Sequence, residues 1–484
     1  MTTAISRFTP PRIVPASRPL GRLGFVAAFL RNPLEAVPQA AFEEDFVSLG
    51  GRGVSRIWVT SPALIKAVLL DERDKFQKIT QIRLLRPLLG KGILTSEGAD
   101  WKWQRQASAS MFRPQELAGF VPTFVRVAED VVKKWRAAPP GSTQRIDLDM
   151  TRATFDVVSA TLLPSADAPA FERSMELFQR SGGWGQLYAA MNVPRWVPHP
   201  GFLAAKRAID VMRGAVARMI HERRRLQKEG KAEPDDLMRR LIAAHDPETG
   251  QSMNDEQLID NALTFYLAGH ETTAKALTWT LYLLARSPEW TAALKEEIAR
   301  VTGDAPIAAA HIEGLVRVRQ VLREAMRLYP PVPMMSRQAV TDARIGEHDV
   351  KAGASILMPI YAIHRHTRRW ENPDAFDPER FSPEREAQMP RYQFMPFGAG
   401  PRVCIGMAFA MLEATAMLAT ILRSARFETV EGHDPLPVAR VTLAPKGGMP
   451  LRVLVAPGAA TAAEPAPAIF KVGDRGPITE SQRI

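Results

Sequence analysis

Between Asn254 and Arg286 the chain carries one uninterrupted helical pattern, and few folds have room for it. At about 1.5 Å of rise per residue such a helix runs to roughly 50 Å, enough to cross a whole domain. It is apolar on most sides (Leu258, Ile259, Leu263, Phe265, Leu267, Leu277, Trp279, Leu281, Leu284), so it belongs inside a core built around it. Asn254 with Gln257 three residues on reads as a capping box, and Pro288 follows the other end. Its middle reads Ala268-Gly269-His270-Glu271-Thr272-Thr273. Polar groups in a buried helix need partners or a task. Glycine beside threonines suits a local widening of the helix that opens a small pocket, and a kink with solvent-facing polar groups is the alternative.

The rest of the chain is organised around that segment. With 484 residues, 46% of them hydrophobic, the core can be extensive. Residues 1–23 are Pro/Arg-rich and read as irregular, 24–456 as one body and 457–484 as a disordered tail. Within the body, 24–90 mixes short apolar runs with turns and includes a strand near Ser55–Thr60. From about Asp100 to Arg286 the pattern is helical, with breaks at 138–141 and 193–201. Helices continue to Leu328, strand-like and proline-rich pieces follow to Arg402, and a helix over Met407–Leu422 precedes short strands such as Gly448–Val455. The fold class is therefore mainly α with small β-sheets (α+β), as one large helical domain. A net charge of +11 permits an anionic partner, yet no zinc-finger spacing occurs and the basic residues are scattered, so nucleic acid is not expected. Gly24–Leu30, the longest apolar stretch near the N-terminus, is too short to span a bilayer, so no transmembrane anchor is expected.

The single cysteine sits in Phe397-Gly398-Ala399-Gly400-Pro401-Arg402-Val403-Cys404-Ile405-Gly406. One thiol forms no intrachain disulfide, which with the lack of a leader points to a reducing, cytoplasmic setting. Cys404 stands where a loop meets a helix, and the unpaired N–H groups there favour an anion. It is expected to ionise easily and to act as nucleophile or metal ligand, the alternative being a buried, inert thiol. Trp101 and Arg105 lie one turn apart, Glu324 and Arg327 are paired at i and i+3, and Arg380 follows in Pro378-Glu379-Arg380-Phe381.

In this order, Trp-x-x-x-Arg, Ala-Gly-x-Glu-Thr, Glu-x-x-Arg, Pro-Glu-Arg-Phe and Phe-x-x-Gly-x-Arg-x-Cys-x-Gly, the chain resembles the cytochrome P-450 family of haem-thiolate monooxygenases from about Leu23 to Val455. The resemblance implies haem b held between the long helix and the cysteine helix, with Cys404 as its thiolate ligand and dioxygen as co-substrate. It implies that Gly400 and Gly406 donate N–H bonds to the sulfur and that Phe397 shields it. Trp101, Arg105, Arg337 and Arg402 match positions that hold the haem propionates, with Ala268 and Gly398 also at the cofactor. Glu324, Arg327 and Arg380 match a buried charge triad. Glu271 and Thr272 match the acid–alcohol pair that delivers protons during oxygen reduction, and His270 has no implied role.

By the same resemblance the substrate pocket is lined by Ile82–Leu89, Phe178–Tyr188, Phe265, Ala268, Val332–Met335 and Leu443. Those residues suit an apolar fatty acid, terpenoid or aromatic compound, with Arg83 and Arg86 as candidate carboxylate anchors. Electrons are expected from a ferredoxin or flavodoxin with its NAD(P)H reductase, docking on a monomer through Lys102, Arg365, Arg368, Arg369, Arg385 and Arg391. Two other readings stand beside this one: a peroxide-dependent oxygenase or isomerase on the same fold, and a haem-binding or helical binding protein without turnover.

Overall fold

The long helix runs unbroken from Asp255 to Ala285 in the computed structural model, which describes residues 8–16, 20–49, 55–162 and 201–456 with scattered positions between 163 and 200. The 457–484 tail and most of the Phe178–Tyr188 wall lie outside the described residues. The capping box is formed: Asn254 Oδ1 accepts from the Gln257 amide at 2.9 Å, and the Asn254 amide donates to Gln257 Oε1 at 3.0 Å. The expected widening at Gly269 is absent. Thr264, Thr272, Thr278 and Thr280 each donate to the carbonyl four residues back, which satisfies their hydroxyls without breaking the helix. Gly269 instead admits the neighbouring helix Ile146–Leu162, since a Cβ there would stand 3.2 Å from Val158 Cγ2.

The cysteine helix, Met407–Ser424, packs against Val121–Ala137, Pro288–Thr302 and the long helix. Among the described residues it alone is long and apolar enough to cross a membrane, but 61% of it is buried inside the protein, as in a core helix. Phe409 meets Phe124 edge-on at 5.2 Å on its inner face.

Among the described residues four small sheets flank the helices, so the α+β expectation holds. The largest runs in the order Phe46–Leu49, Arg56–Val59, Ser355–Met358, Met335–Ala339, Phe76–Gln77, and its one parallel contact joins Arg56–Val59 to Ser355–Met358. That pairing brings residues some three hundred positions apart into register (Ile57 opposite Ile356) and closes the fold. Residues 8–16 are irregular as expected, but they are tied down: the Ile13 amide donates to Tyr361 Oη at 3.1 Å, and the Phe376 amide donates to the Phe8 carbonyl at 3.0 Å. The first helix, Arg22–Arg31, begins inside the segment expected to be irregular.

Glu324 and Arg327 on helix Val316–Leu328 are both 0% exposed and meet in a fork, Nε to Oε2 at 2.7 Å and Nη2 to Oε1 at 2.8 Å. Arg380 Nε lies 3.6 Å from Glu324 Oε1, completing the expected triad. Arg327 also donates to the carbonyls of His364, Pro373 and Ala375, and Glu324 accepts from the Asp377 amide. The pair thus stitches the 364–380 segment to the helical core. Removing one partner strands the other charge in the interior, so Glu324→Ala should destabilise the protein by about 3–5 kcal/mol in urea unfolding. A loss below about 1 kcal/mol would show that the pair behaves like a surface ion pair.

Candidate active site

Along the long helix one stripe is left open while its other faces are packed. Phe265, Ala268 and Thr272 stand at i, i+3 and i+7, and Ala268 is exposed although the helix is central, so this stripe faces an interior space. Thr272 Oγ1 donates to the Ala268 carbonyl at 2.7 Å. Its neighbour Glu271 accepts from the Thr442 hydroxyl at 2.7 Å, a contact from the turn between strands Pro437–Ala439 and Leu443–Pro445. Leu443 does not line the space as expected. It is fully buried, its amide donating to the Pro331 carbonyl and its carbonyl accepting from Trp279 Nε1 at 3.0 Å. His270 takes the core position, with its Nδ1 3.2 Å from the Tyr266 carbonyl and its ring beside Phe155.

The roof is helix Ile79–Leu89, which carries half-buried Ile82, Leu85 and Arg86 and exposed Arg83. Its end is pinned to the long helix by Asp260, which accepts from the Lys91 amide at 2.7 Å and from Arg213 Nη1 at 2.7 Å. Gly90 is required there: φ is +50°, and a Cβ would lie 2.2 Å from the Asp260 carboxylate. Val332, Met334 and Met335 contribute half-buried side chains from the opposite wall.

Cys404 lies in the loop just before helix Met407–Ser424, which packs against the long helix. Its amide donates to the Phe397 carbonyl at 2.9 Å, closing the loop, and Gly398 (φ +73°) and Gly400 (φ +70°) take left-handed conformations that suit glycine alone. The Gly406 amide hydrogen-bonds to the sulfur. Gly400, expected to help there, is needed elsewhere, because a Cβ would press to 2.9 Å on the Leu69 carbonyl. Cys404 opens onto the interior space yet lies deep in the protein, and that depth pushes its thiol pKa up, against the pull of the Gly406 amide and Arg105. The expectation of easy ionisation is therefore wrong for the protein alone: loss of solvation outweighs the helix terminus.

Beside the sulfur lies an excess of cations. Arg402 stacks over Trp101 at 4.2 Å, donates to the Ser96 carbonyl at 2.9 Å and pairs with Glu97. Buried Arg337 donates to its neighbour's carbonyl at Ser336, and burial reinforced by Arg402 lowers its pKa to about 10. Buried Lys78 donates to the Leu94 carbonyl at 2.6 Å, and burial with Arg402 nearby brings it down to about 7 despite Glu97. Half-buried Arg105 sits within reach of the Cys404 charge. Lys78, which nothing in its local sequence marks, thus joins the three expected arginines, and Glu97 is the one carboxylate acting on Lys78, Arg337 and Arg402 together. Such a cluster calls for added negative charge. On the outer face Lys102, Arg368, Arg385 and Arg391 are exposed. Arg365 is not: it is buried over the Tyr361 ring at 3.9 Å beside Asp374, and Arg369 is ion-paired with Asp45.

The family model for cytochrome P-450 matches residues 30–451. The chain belongs to the cytochrome P-450 family. It is 30% identical over 452 residues to cyclooctatin synthase of Streptomyces melanosporofaciens, covering 92% of this chain and 95% of that protein. It is 31% identical over 407 residues to a cytokinin hydroxylase of Arabidopsis thaliana, covering 82% and 78%. The crystal structure of the haem domain of cytochrome P-450DA superposes with a TM-score of 0.79 at 27% identity, over 93% of this chain and 99% of that one. The protein is thus a cytochrome P-450 monooxygenase, of a family built on haem with a cysteine thiolate. The residues fit that group, since the sulfur is open although it lies deep in the protein, and the cation cluster lacks the charge that two carboxylates would bring.

This fit has a proton signature. Without the cofactor, Lys78 at about 7 is largely neutral near pH 8.5 and Cys404 is a thiol. Haem binding should draw a proton onto Lys78, against a carboxylate, and release one from Cys404, for a net exchange close to zero. Lys78→Met should leave about one proton released, measured by calorimetry in buffers of differing ionisation enthalpy. Identical proton release in both proteins would show that Lys78 does not face the carboxylates.

Proposed function

We propose that the protein is a dioxygen-dependent monooxygenase acting on an apolar small molecule, with haem b held by Cys404 and by Lys78, Trp101, Arg105, Arg337 and Arg402. The observations that carry this are a Cys404 sulfur that is open although deep in the protein and an open Ala268–Thr272 stripe on the long helix, which packs against the cysteine helix. Bound haem supplies the reductive activation of dioxygen and the transfer of one oxygen atom to carbon. The chain's own tasks are to orient the substrate and to hold and move protons. Phe265, Ile82, Leu85, Val332 and Met334 give the space an apolar lining, suited to a fatty acid, terpenoid or aromatic compound. Thr272, which donates to the Ala268 carbonyl, keeps its oxygen free to accept and can turn its proton toward the space. Glu271, oriented by Thr442, is the acid that resupplies it. This pair favours dioxygen chemistry over a peroxide-dependent or isomerase reading.

The deciding experiment is the spectrum of the reduced carbon monoxide complex. A red-shifted thiolate-type Soret band is expected and should vanish in Cys404→Ser. A wild-type protein without that band would sink the reading. Thr272→Ala should retain that band and substrate binding while electrons are diverted to hydrogen peroxide. Product formed per NAD(P)H consumed measures this, and unchanged coupling would assign the hydroxyl's role elsewhere.

We also infer that electrons arrive from a small acidic ferredoxin or flavodoxin docking beside the cysteine loop, in a cytoplasmic setting. Exposed Arg368, Arg385 and Arg391 support this, while Lys102 stands 4.0 Å from Glu248, Arg365 is buried and Arg369 is paired with Asp45. Reduction should slow as salt approaches physiological strength, where the screening length is about 8 Å. Replacing Arg368 and Arg391 together by Gln should slow it without changing substrate-induced spin shifts. Rates indifferent to both would reject this face.

A further inference from the structure

His364 is fully buried, and its ring Nε2 accepts the backbone N–H of Met395 at 2.9 Å. The ring proton then sits on Nδ1, which is buried near the Met326 and Arg327 backbone without a well-aligned hydrogen bond to either. A buried N–H so poorly paired bears part of the about 1–3 kcal/mol that a missing partner costs, so a plain hydrocarbon ring would suit this space better if packing alone mattered. What imidazole adds is an acceptor that stays neutral, because burial together with Arg327 and Arg365 brings its pKa down to about 3.

The position of this bond gives it consequence. The His364 carbonyl accepts from Arg327 Nη1 at 2.8 Å, so its backbone is fixed by the buried Glu324–Arg327 pair. Its ring lies 5.1 Å from that of Phe394, which itself sits 4.6 Å from Phe381. Beyond Met395 the chain turns, with the Gly398 amide donating to the Met395 carbonyl at 3.0 Å, and the Cys404 amide donates to the Phe397 carbonyl. A chain of hydrogen bonds and short backbone steps therefore leads from the charge pair, through one side chain, to the backbone of the cysteine.

We propose that His364 is a positioning residue for the cysteine loop: by fixing the Met395 amide it sets where the Cys404 sulfur stands relative to the Gly406 amide and Arg105. The proposal rests on the reading of Cys404 as haem ligand. A displaced sulfur loses part of the hydrogen bond and positive charge that favour thiolate over thiol, so the loss should appear in the state of the ligand before it appears in the fold.

Two measurements test it. In wild-type holoprotein labelled with 15N-histidine and held as the reduced carbon monoxide complex, His364 should be the Nδ1–H tautomer with Nε2 unprotonated. A proton on Nε2 overturns the proposal, because that nitrogen then accepts nothing. The second compares His364→Gln, whose amide oxygen can reach the Met395 N–H, with His364→Phe and His364→Leu, which only fill space. Conversion of the thiolate complex to the thiol form should stay near the wild-type rate in the Gln variant and rise roughly tenfold or more in the other two, the scale of one lost buried acceptor. A packing role predicts the reverse order, and that order overturns the proposal. If the apolar variants do not fold, Gln alone decides: wild-type behaviour supports the bond, and a folded Gln variant with a labile thiolate refutes it. A wild-type protein without any thiolate complex would refute the proposed function, while the tautomer would still report on the hydrogen bond.

Discussion

A helix of 31 residues buried along most of its length dictates where everything else can go. It cannot be solvated on any face for long, so neighbouring helices must close around it, and its polar residues must be satisfied within that enclosure. Most of the threonines do so by donating back along the helix, and Asp260, Asn261 and Glu271 do so by reaching to loops that fold over it. The stripe from Phe265 to Thr272 is the exception that leaves room for chemistry. Because the helix stays regular through Gly269, that room comes from what the neighbours do not fill, and not from distortion of the helix itself.

The opposite wall is held by charge buried away from water. Glu324 and Arg327 would be a liability if either stood alone. Each is instead saturated: the carboxylate by two arginines and the Asp377 amide, the guanidinium by three carbonyls besides its partner. Such saturation fixes backbone at 364, 373, 375 and 377 together, so the segment leading to the cysteine loop is anchored to a rigid reference. The loop itself then needs little more than two left-handed glycines and the Phe397–Cys404 bond to present the sulfur.

Periodicity and motif order carried the long helix, its capping box, the cysteine helix, the Glu324–Arg327 pair and the loop, because each is encoded by residues close together in the chain, while Arg380 was legible only through the family's motif order. What escaped was set by partners far away. Thr442 meets Glu271 across 171 positions, and Lys78 owes its lowered pKa to burial first and then to the distant Arg402 and Arg337. The Cys404 thiol was misjudged for the same reason: helix position is local and legible, whereas burial depends on the whole fold and here outweighs it. Arg365 looks like its exposed neighbour Arg368 in the sequence, and only the packing of Tyr361 separates them.

The choice of lysine at position 78 follows from this balance. Three cations share one carboxylate in a buried corner, and Arg337 and Arg402, even with lowered pKa values, keep their charge at neutrality. A third permanent charge would repel both before any anion arrived. An ammonium gives up its proton under such pressure far more readily than a guanidinium. Lys78, at about 7, is about half charged at neutrality in the bare protein, and a carboxylate brought against it would favour the charged form. Cys404 is shifted in the mirror sense: burial favours its thiol, and a metal ion bound there would favour the thiolate. Both shifts lower the charge left uncompensated in the bare site, and the ligand proposed for it would reverse both.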